Sequence, residues 1–240
     1  MTGFGYNVNG FGVGGAGSKP LVITFIGNTI GTAAPTATFS NHAIGTASAD
    51  RYIVVCIQTG IPANSRFGSC TVGGESTTIV KHVSNTITAN GHSEIAICIT
   101  DEPYTSGTTA DIFVNQSTSG QNANAWAVGV YALTGLSSTT ATDTGGDITS
   151  TVGGEMSDDI DVSAGGGVIA AAGGGGYYGT GTDVTWGGLT ERYYYQGYAG
   201  GNAGIYATGA SLDDQSASTI TVTSAQEDAY IPALAIASFL

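Results

Sequence analysis

Positive charge is what this 240-residue chain has least of: five lysines and arginines stand against eighteen aspartates and glutamates, a net charge of −13. The five, Lys19, Arg51, Arg66, Lys81 and Arg192, are scattered. A nucleic-acid surface needs clustered Lys and Arg to displace counterions from phosphates, so no nucleic-acid partner is expected. The same deficit works against anionic membranes. A run of 18 or more apolar residues is also missing, so no membrane insertion is expected. The opening residues lack the basic stretch and apolar stretch of a secretory signal. Cysteine is sparse and odd in number: Cys56, Cys70 and Cys98, two of them inside the apolar runs IVVCIQ and EIAICIT. Buried free thiols are the expected state. No Cys/His spacing suits zinc, and no cofactor is expected. There is no G-x-S-x-G, and His42, His82 and His92 have no accompanying motif, so no catalytic residue is assigned.

Helical periodicity is the next absence. No segment sustains apolar residues at i, i+3, i+4 and i+7 among helix formers. In its place stand short runs rich in Val, Ile, Thr and Tyr, punctuated by Gly, Ser, Asn and Asp. The clearest are LVITFIG, DRYIVVCIQ, STTIVKHV, HSEIAICIT, ADIFVNQ, AWAVGVYALTG, GGVIAAAG, STITVTS and YIPALAIASFL. ITVTS alternates, with Ile220 and Val222 on one face and Thr219, Thr221 and Thr223 on the other, as a strand with one wet side requires. IVVCI and ALAIA are continuously apolar and should lie centrally. The expected fold is all-β, an antiparallel β-sandwich of jelly-roll-like type. Residues 20–240 form one sandwich domain in this reading, preceded by an arm over residues 1–19. The phrase TVGGE at 71–75 returns at 151–155, and TWGGLTE at 185–191 echoes it. These echoes are too short for a repeat protein and are expected to be similar hairpins rather than duplicated modules.

Three stretches are candidates for function. The first is GFGYNVNGFGVGGAG, residues 3–17, in which Gly10, Gly12 and Gly15 have dinucleotide-loop spacing. A buried strand must precede such a loop and a helix must follow; here neither is expected, so nucleotide binding is set aside. Glycine-rich arms hold a course only where they are tied down, which makes Phe4, Tyr6, Asn7 and Phe11 the expected assembly contacts. The second is the Tyr/Gly-rich segment 173–209. There Tyr177, Tyr178, Trp186, Tyr194, Tyr198 and Tyr206 are the candidates for a ligand or interface surface, since tyrosine gives contact area with a polar tip at low entropic cost. Core or subunit packing is the competing role, with Tyr193 and Tyr195 inward and Tyr194 outward. The third is EMSDDID, 155–161, whose Asp158, Asp159 and Asp161 are weak calcium candidates. A solvated loop leading into a strand is the main expectation, because the EF-hand loop pattern is missing.

The opening FGYNVNGFGxG resembles short N-terminal phrases on virion structural proteins of tailed bacteriophages, especially marine and cyanobacterial phages. RYIVVCIQTG, TVGGESTT, WAVGVYALTG, GGVIAAAG, VTWGGLTE and ALAIASF resemble, in strand order, phage proteins of jelly-roll type. The resemblance implies a non-enzymatic virion component. Its expected partners are major capsid or tail subunits, it is expected to be a homo-oligomer, with a trimer suggested by icosahedral geometry, and its location is the virion. A capsid decoration or cement protein docked through the arm is the first expectation. A tail-fibre or receptor-binding component that recognises host glycans through Tyr/Gly loops is the second. A glycan-degrading enzyme would need two carboxylates brought together from distant strands.

Overall fold

A computed structural model describes residues 19–31, 34–61, 67–88, 91–117, 125–176, 184–198, 204–226 and 232–240. The arm residues Phe4, Tyr6, Asn7 and Phe11 lie outside the described residues, as do Tyr177 and Tyr178; of Tyr198 only the backbone is described. The described residues form an all-β, antiparallel protein without helix.

The first half supplies β1 (Val22–Gly31), β2 (Thr36–Ala43), β3 (Tyr52–Ile61), β4 (Phe67–Val72), β5 (Glu75–Thr88), β6 (Gly91–Thr100), β7 (Thr109–Gln116) and β8 (Ala125–Thr134). They form one eight-stranded sheet in the order β1-β8-β3-β6-β5-β4-β7-β2. β5 pairs β6 through Thr77–Thr88 but β4 only through Glu75 and Ser76, so the sheet folds over on itself at this strand. β1-β8-β3-β6 then faces β2-β7-β4 across a shared interior. β1 and β2 meet where a β-carbon on Gly31 would lie 3.1 Å from the Phe39 ring, so glycine permits the approach. This is jelly-roll order, two interleaved Greek keys.

The second half repeats it. β9 (Asp143–Ile148), β10 (Glu155–Val162), β11 (Gly166–Gly176), β12 (Val184–Gly187), β13 (Thr190–Tyr198), β14 (Gly204–Gln215), β15 (Ser218–Gln226) and β16 (Ala233–Phe239) form sheets ordered β13-β14-β11-β16-β9 and β10-β15-β12. Substituting β9 for β1 and β16 for β8, and so on through the strands, reproduces the first order, except that β12 and β13 do not pair. The chain is therefore two jelly rolls in tandem, a duplication of topology that the sequence echoes had not been expected to carry. TVGGE at 71–75 and TWGGLTE at 185–191 occupy the same corner of the two rolls, between β4 and β5 and between β12 and β13. At the first corner Gly73 and Gly74 have φ of 58° and 86°, the backbone of a tight hairpin that other residues resist. The copy at 151–155 turns β9 into β10.

Three apolar layers hold this stack together. Ile53, Val55, Ile57, Ile112, Val114, Trp126, Val128 and Val130 fill the first roll. Val168, Ala170, Ala172, Val222, Leu234 and Ile236 fill the second. Between the rolls, Val54, Cys56, Ile95, Ile97 and Ile99 meet Ile169, Ala171, Ala233, Ala235 and Ala237. β11 and β16 are thus buried on both faces, which explains their lack of alternation. Outer β15 alternates as expected, with Val222 buried and Thr219 and Thr221 exposed. EMSDDID is not a loop but β10 itself, paired with β15 along its length. All three cysteines are buried and free.

Candidate functional site

Strand register places the two ends of the molecule. Gly31 lies opposite Trp126, Ile61 opposite His92 and Phe67 opposite Gln116 in the first roll. In the second, Gly204 is opposite both Gly176 and Tyr198, and Val184 is opposite Gln226. A β-carbon on Gly173 would touch Ile95 and Gln58, so these strand ends of both rolls share one pole. Lys19, Pro20 and Leu21 root the arm at the other pole, where Leu21 N donates to Gly165 O at 3.0 Å. Ten-residue β1 separates the poles by about 30 Å. Loops gathered at one end of a sandwich are a common place for binding residues. At that pole each roll has a mouth where its apolar interior turns polar.

The second roll's mouth holds several of the aromatic candidates. Trp186, half-buried on β12, lies opposite Ser224 on β15. Its Nε1 crosses the interior to donate to Thr208 Oγ1 at 3.0 Å. Tyr194 lies opposite Thr208, and Gln196 opposite Tyr206, on the same face. Tyr194 Oη donates to Gln196 Oε1 at 3.2 Å, and Gln196 Nε2 donates to Tyr206 Oη at 3.1 Å. Trp186, Tyr194 and Tyr206 are therefore brought together. Tyr206 is 2% exposed, so it is a wall of this mouth and not an open surface.

Tyr193 belongs to the join between rolls. Its ring stacks on Phe25 at 5.4 Å and lies over two glycines, so that a β-carbon at Gly129 or Gly209 would come within 2.3 Å of it. Gln58 Nε2 donates to Tyr193 Oη at 2.6 Å and to Thr208 O at 3.1 Å. Burial holds the phenol well above its ordinary pKa, and Tyr131 beside it is raised by burial and then by Tyr193. Neither is a base at neutral pH. Tyr195, half-buried, packs on Ala125, Ala127, Ile205 and Ala207.

The first roll's mouth contains a constellation that had no motif. Glu94 is 1% exposed on β6 and accepts a hydrogen bond from Phe67 N and one from Ser84 Oγ at 3.4 Å. His82 Nε2 sits 3.5 Å from Glu94 Oε2, and the His82 ring meets Phe67 edge-on. Serine, histidine and carboxylate are thus neighbours, but serine and histidine both turn to the carboxylate. A nucleophilic triad needs the hydroxyl on the histidine, so this set positions the start of β4. Alternation along HSEIAICIT was the signal that could have found Glu94, since it shares the interior face of Ala96 and Cys98. His42 lies on β2, where Nδ1 donates to Ala43 O at 2.7 Å.

The acidic run closes a seam. β9 and β10 end separate sheets, and carboxylates join them. Asp143 Oδ2 accepts from Asp161 N at 2.9 Å, Asp147 Oδ2 from Ser157 N at 2.9 Å, and Asp158 Oδ2 from Gly146 N at 2.7 Å. Side chains thereby satisfy backbone donors that edge strands leave open. Asp159 and Asp161 accept from Thr221 and Thr219 on the opposite face of β10 from Asp158. The three calcium candidates therefore do not converge, and no metal-holding group of His, Cys, Asp or Glu occurs among the described residues.

Buried charge appears at the arm's pole. Arg51 is fully buried; its Nε donates to Tyr104 O, Nη1 to Ile44 O and Gly45 O, and Nη2 to Ser106 O and Gly107 O. Burial lowers its pKa, and carbonyls satisfy it instead of an anion. Burial raises the Cys56 thiol, and a hydrogen bond with Cys70 followed by burial raises Cys98, so neither is a ready thiolate nucleophile. Comparison with protein-family models, curated proteins and solved structures returns no match.

Proposed function

We propose that this protein is a non-enzymatic virion structural component of phage type, a capsid decoration or cement protein docked through residues 1–19. The observation that carries the reading is polarity: the arm is rooted at Lys19–Leu21, and the polar mouths of both rolls face the other way. Attachment at one pole leaves the other free for presentation. Sheet edges support it too. β1 meets β2, and the β9–β10 edges are sealed by carboxylates, so at these two seams the body offers little edge for pairing and a separate arm is the natural connector. The buried carboxylate Glu94 is spent on Phe67 N and Ser84, which fits a non-catalytic role. Deleting residues 1–17 is expected to abolish incorporation into particles while circular dichroism and melting of the body stay unchanged. Normal loading of the truncated protein would overturn the arm's role.

A second reading, a tail or receptor-binding component for host glycans, is favoured by one observation: Trp186 and Tyr194 are half-buried at the mouth facing away from the arm. Tyr194→Ala should then lower binding to host cells, with unchanged folding.

A further inference from the structure

The two mouths differ in whether their inward polar groups are satisfied. In the first roll, the interior-facing groups at this pole satisfy one another: Glu94 on β6 takes Phe67 N and Ser84, with His82 beside it. In the second roll, β15 points Val222, Ser224 and Gln226 inward, all three fully buried. Ser224 Oγ and both polar atoms of the Gln226 amide have no hydrogen-bond partner. An unsatisfied buried polar atom costs about 1–3 kcal/mol, so three on adjacent inward positions would be a standing penalty with no structural return.

The surroundings define what would relieve it. Trp186 lies opposite Ser224, and Val184 opposite Gln226, so the indole and the free amide occupy neighbouring levels of one wall. The facing wall carries Thr208 at the level of Trp186, with Gln196 and Tyr206 one step nearer the pole. On β11, Gly174 lies opposite Tyr206 and contributes no side chain. None of these groups is ionised, which disfavours an anion or a cation as the missing partner. An amide and a hydroxyl both donate and accept, as sugar hydroxyls do, and an indole face suits the C–H face of a pyranose ring.

We propose that the mouth of the second roll is a binding site for a neutral saccharide. Ser224 and Gln226 pair with its hydroxyls, and Trp186, held by Thr208, packs against the ring. The proposal rests on the glycan reading above and adds the ligand's class and the residues that read it. Gln226 is the residue that distinguishes this site from simple aromatic stickiness, because its amide is matched only when a polar ligand is present.

The experiment is a titration of the intact protein with glucose, galactose, N-acetylglucosamine and their oligomers, followed through the indole N–H resonances of the two tryptophans. The resonance missing from Trp186→Phe should shift saturably, and Gln226→Leu should weaken binding by tenfold or more while the rest of the spectrum keeps its dispersion. Binding that leaves the Trp186 resonance unmoved, or that Gln226→Leu does not change, overturns this site and leaves the glycan reading standing. If no saccharide in the panel binds, both fall. A Gln226→Leu protein that melts higher and binds as before would mean that the amide is only a cost.

Discussion

The two rolls share one strand order and solve its packing differently. The first fills its interior with large side chains, Trp126, Phe39, Phe67 and a set of isoleucines and valines, and ends it in a mouth around the Glu94 carboxyl. The second fills its own with Val168, Ala170, Ala172 and Ala210 beside a few larger residues, and ends in a mouth whose described side chains around Trp186 and Gln226 are neutral. Size follows from position. β11 and β16 are buried on both faces, and in the layer shared with the first roll their Ala171, Ala233, Ala235 and Ala237 leave room for Ile95, Ile97 and Ile99. The difference teaches that one topology constrains where residues lie, and neighbours decide their volume and charge.

Volume gives the sharpest way to break this contrast. Trp126→Ala should leave a cavity in the first roll and cost about 4 kcal/mol in chemical denaturation. A loss under 1 kcal/mol would mean that this interior is not closely filled. The mouths come next. Glu94→Ala strands Phe67 N and Ser84 and should cost about 3 kcal/mol, a hydrogen-bonding loss that Gln226 at the second mouth, without partners, has no means to reproduce. In the shared layer the sign of the volume effect reverses. Ala235→Leu adds bulk to a strand closed on both faces and should cost about 2 kcal/mol through overpacking; a stabilised variant would show spare room there. For the seam, Asp147→Ala should cost about 1 kcal/mol and Asp147→Asn less, because the amide oxygen still accepts from Ser157 N. Smallest is the thiol count. Because burial raises Cys56 and Cys98 is raised by Cys70 and burial, no thiol should react with a chromogenic disulfide reagent at pH 8 in the folded protein, and three should react in denaturant.

Legibility tracked hydrophobicity. Each of the nine quoted apolar runs supplies most or all of its described residues to a strand, and each carries the branched side chains that a pleated, half-buried surface selects. DTGGDI and EMSDDIDV were not read as strands because their glycines and aspartates read as turns, and TATFSNHA was not because it carries few apolar residues. Their pairing comes from β7, β16 and β15 alongside. Of the site, the aromatic members Trp186, Tyr194 and Tyr206 were legible by composition. Glu94, Gln58 and Gln226 were not, since a single polar residue within an apolar strand looks like any other until its inward neighbours are known.

Residue order alone determined that the chain is all-β and antiparallel, that its surface is neutral to acidic, and that IVVCI and ALAIA run through the centre. These properties are local sums of side-chain shape, charge and turn chemistry. Tertiary structure decided that there are two rolls, that carboxylates close the β9–β10 seam, and which mouth is self-satisfied. The join between rolls depends on partners as far apart as Gln58 and Tyr193, and even the seam carboxylates, 10 to 18 residues from their donors, are aligned only by the register of whole sheets.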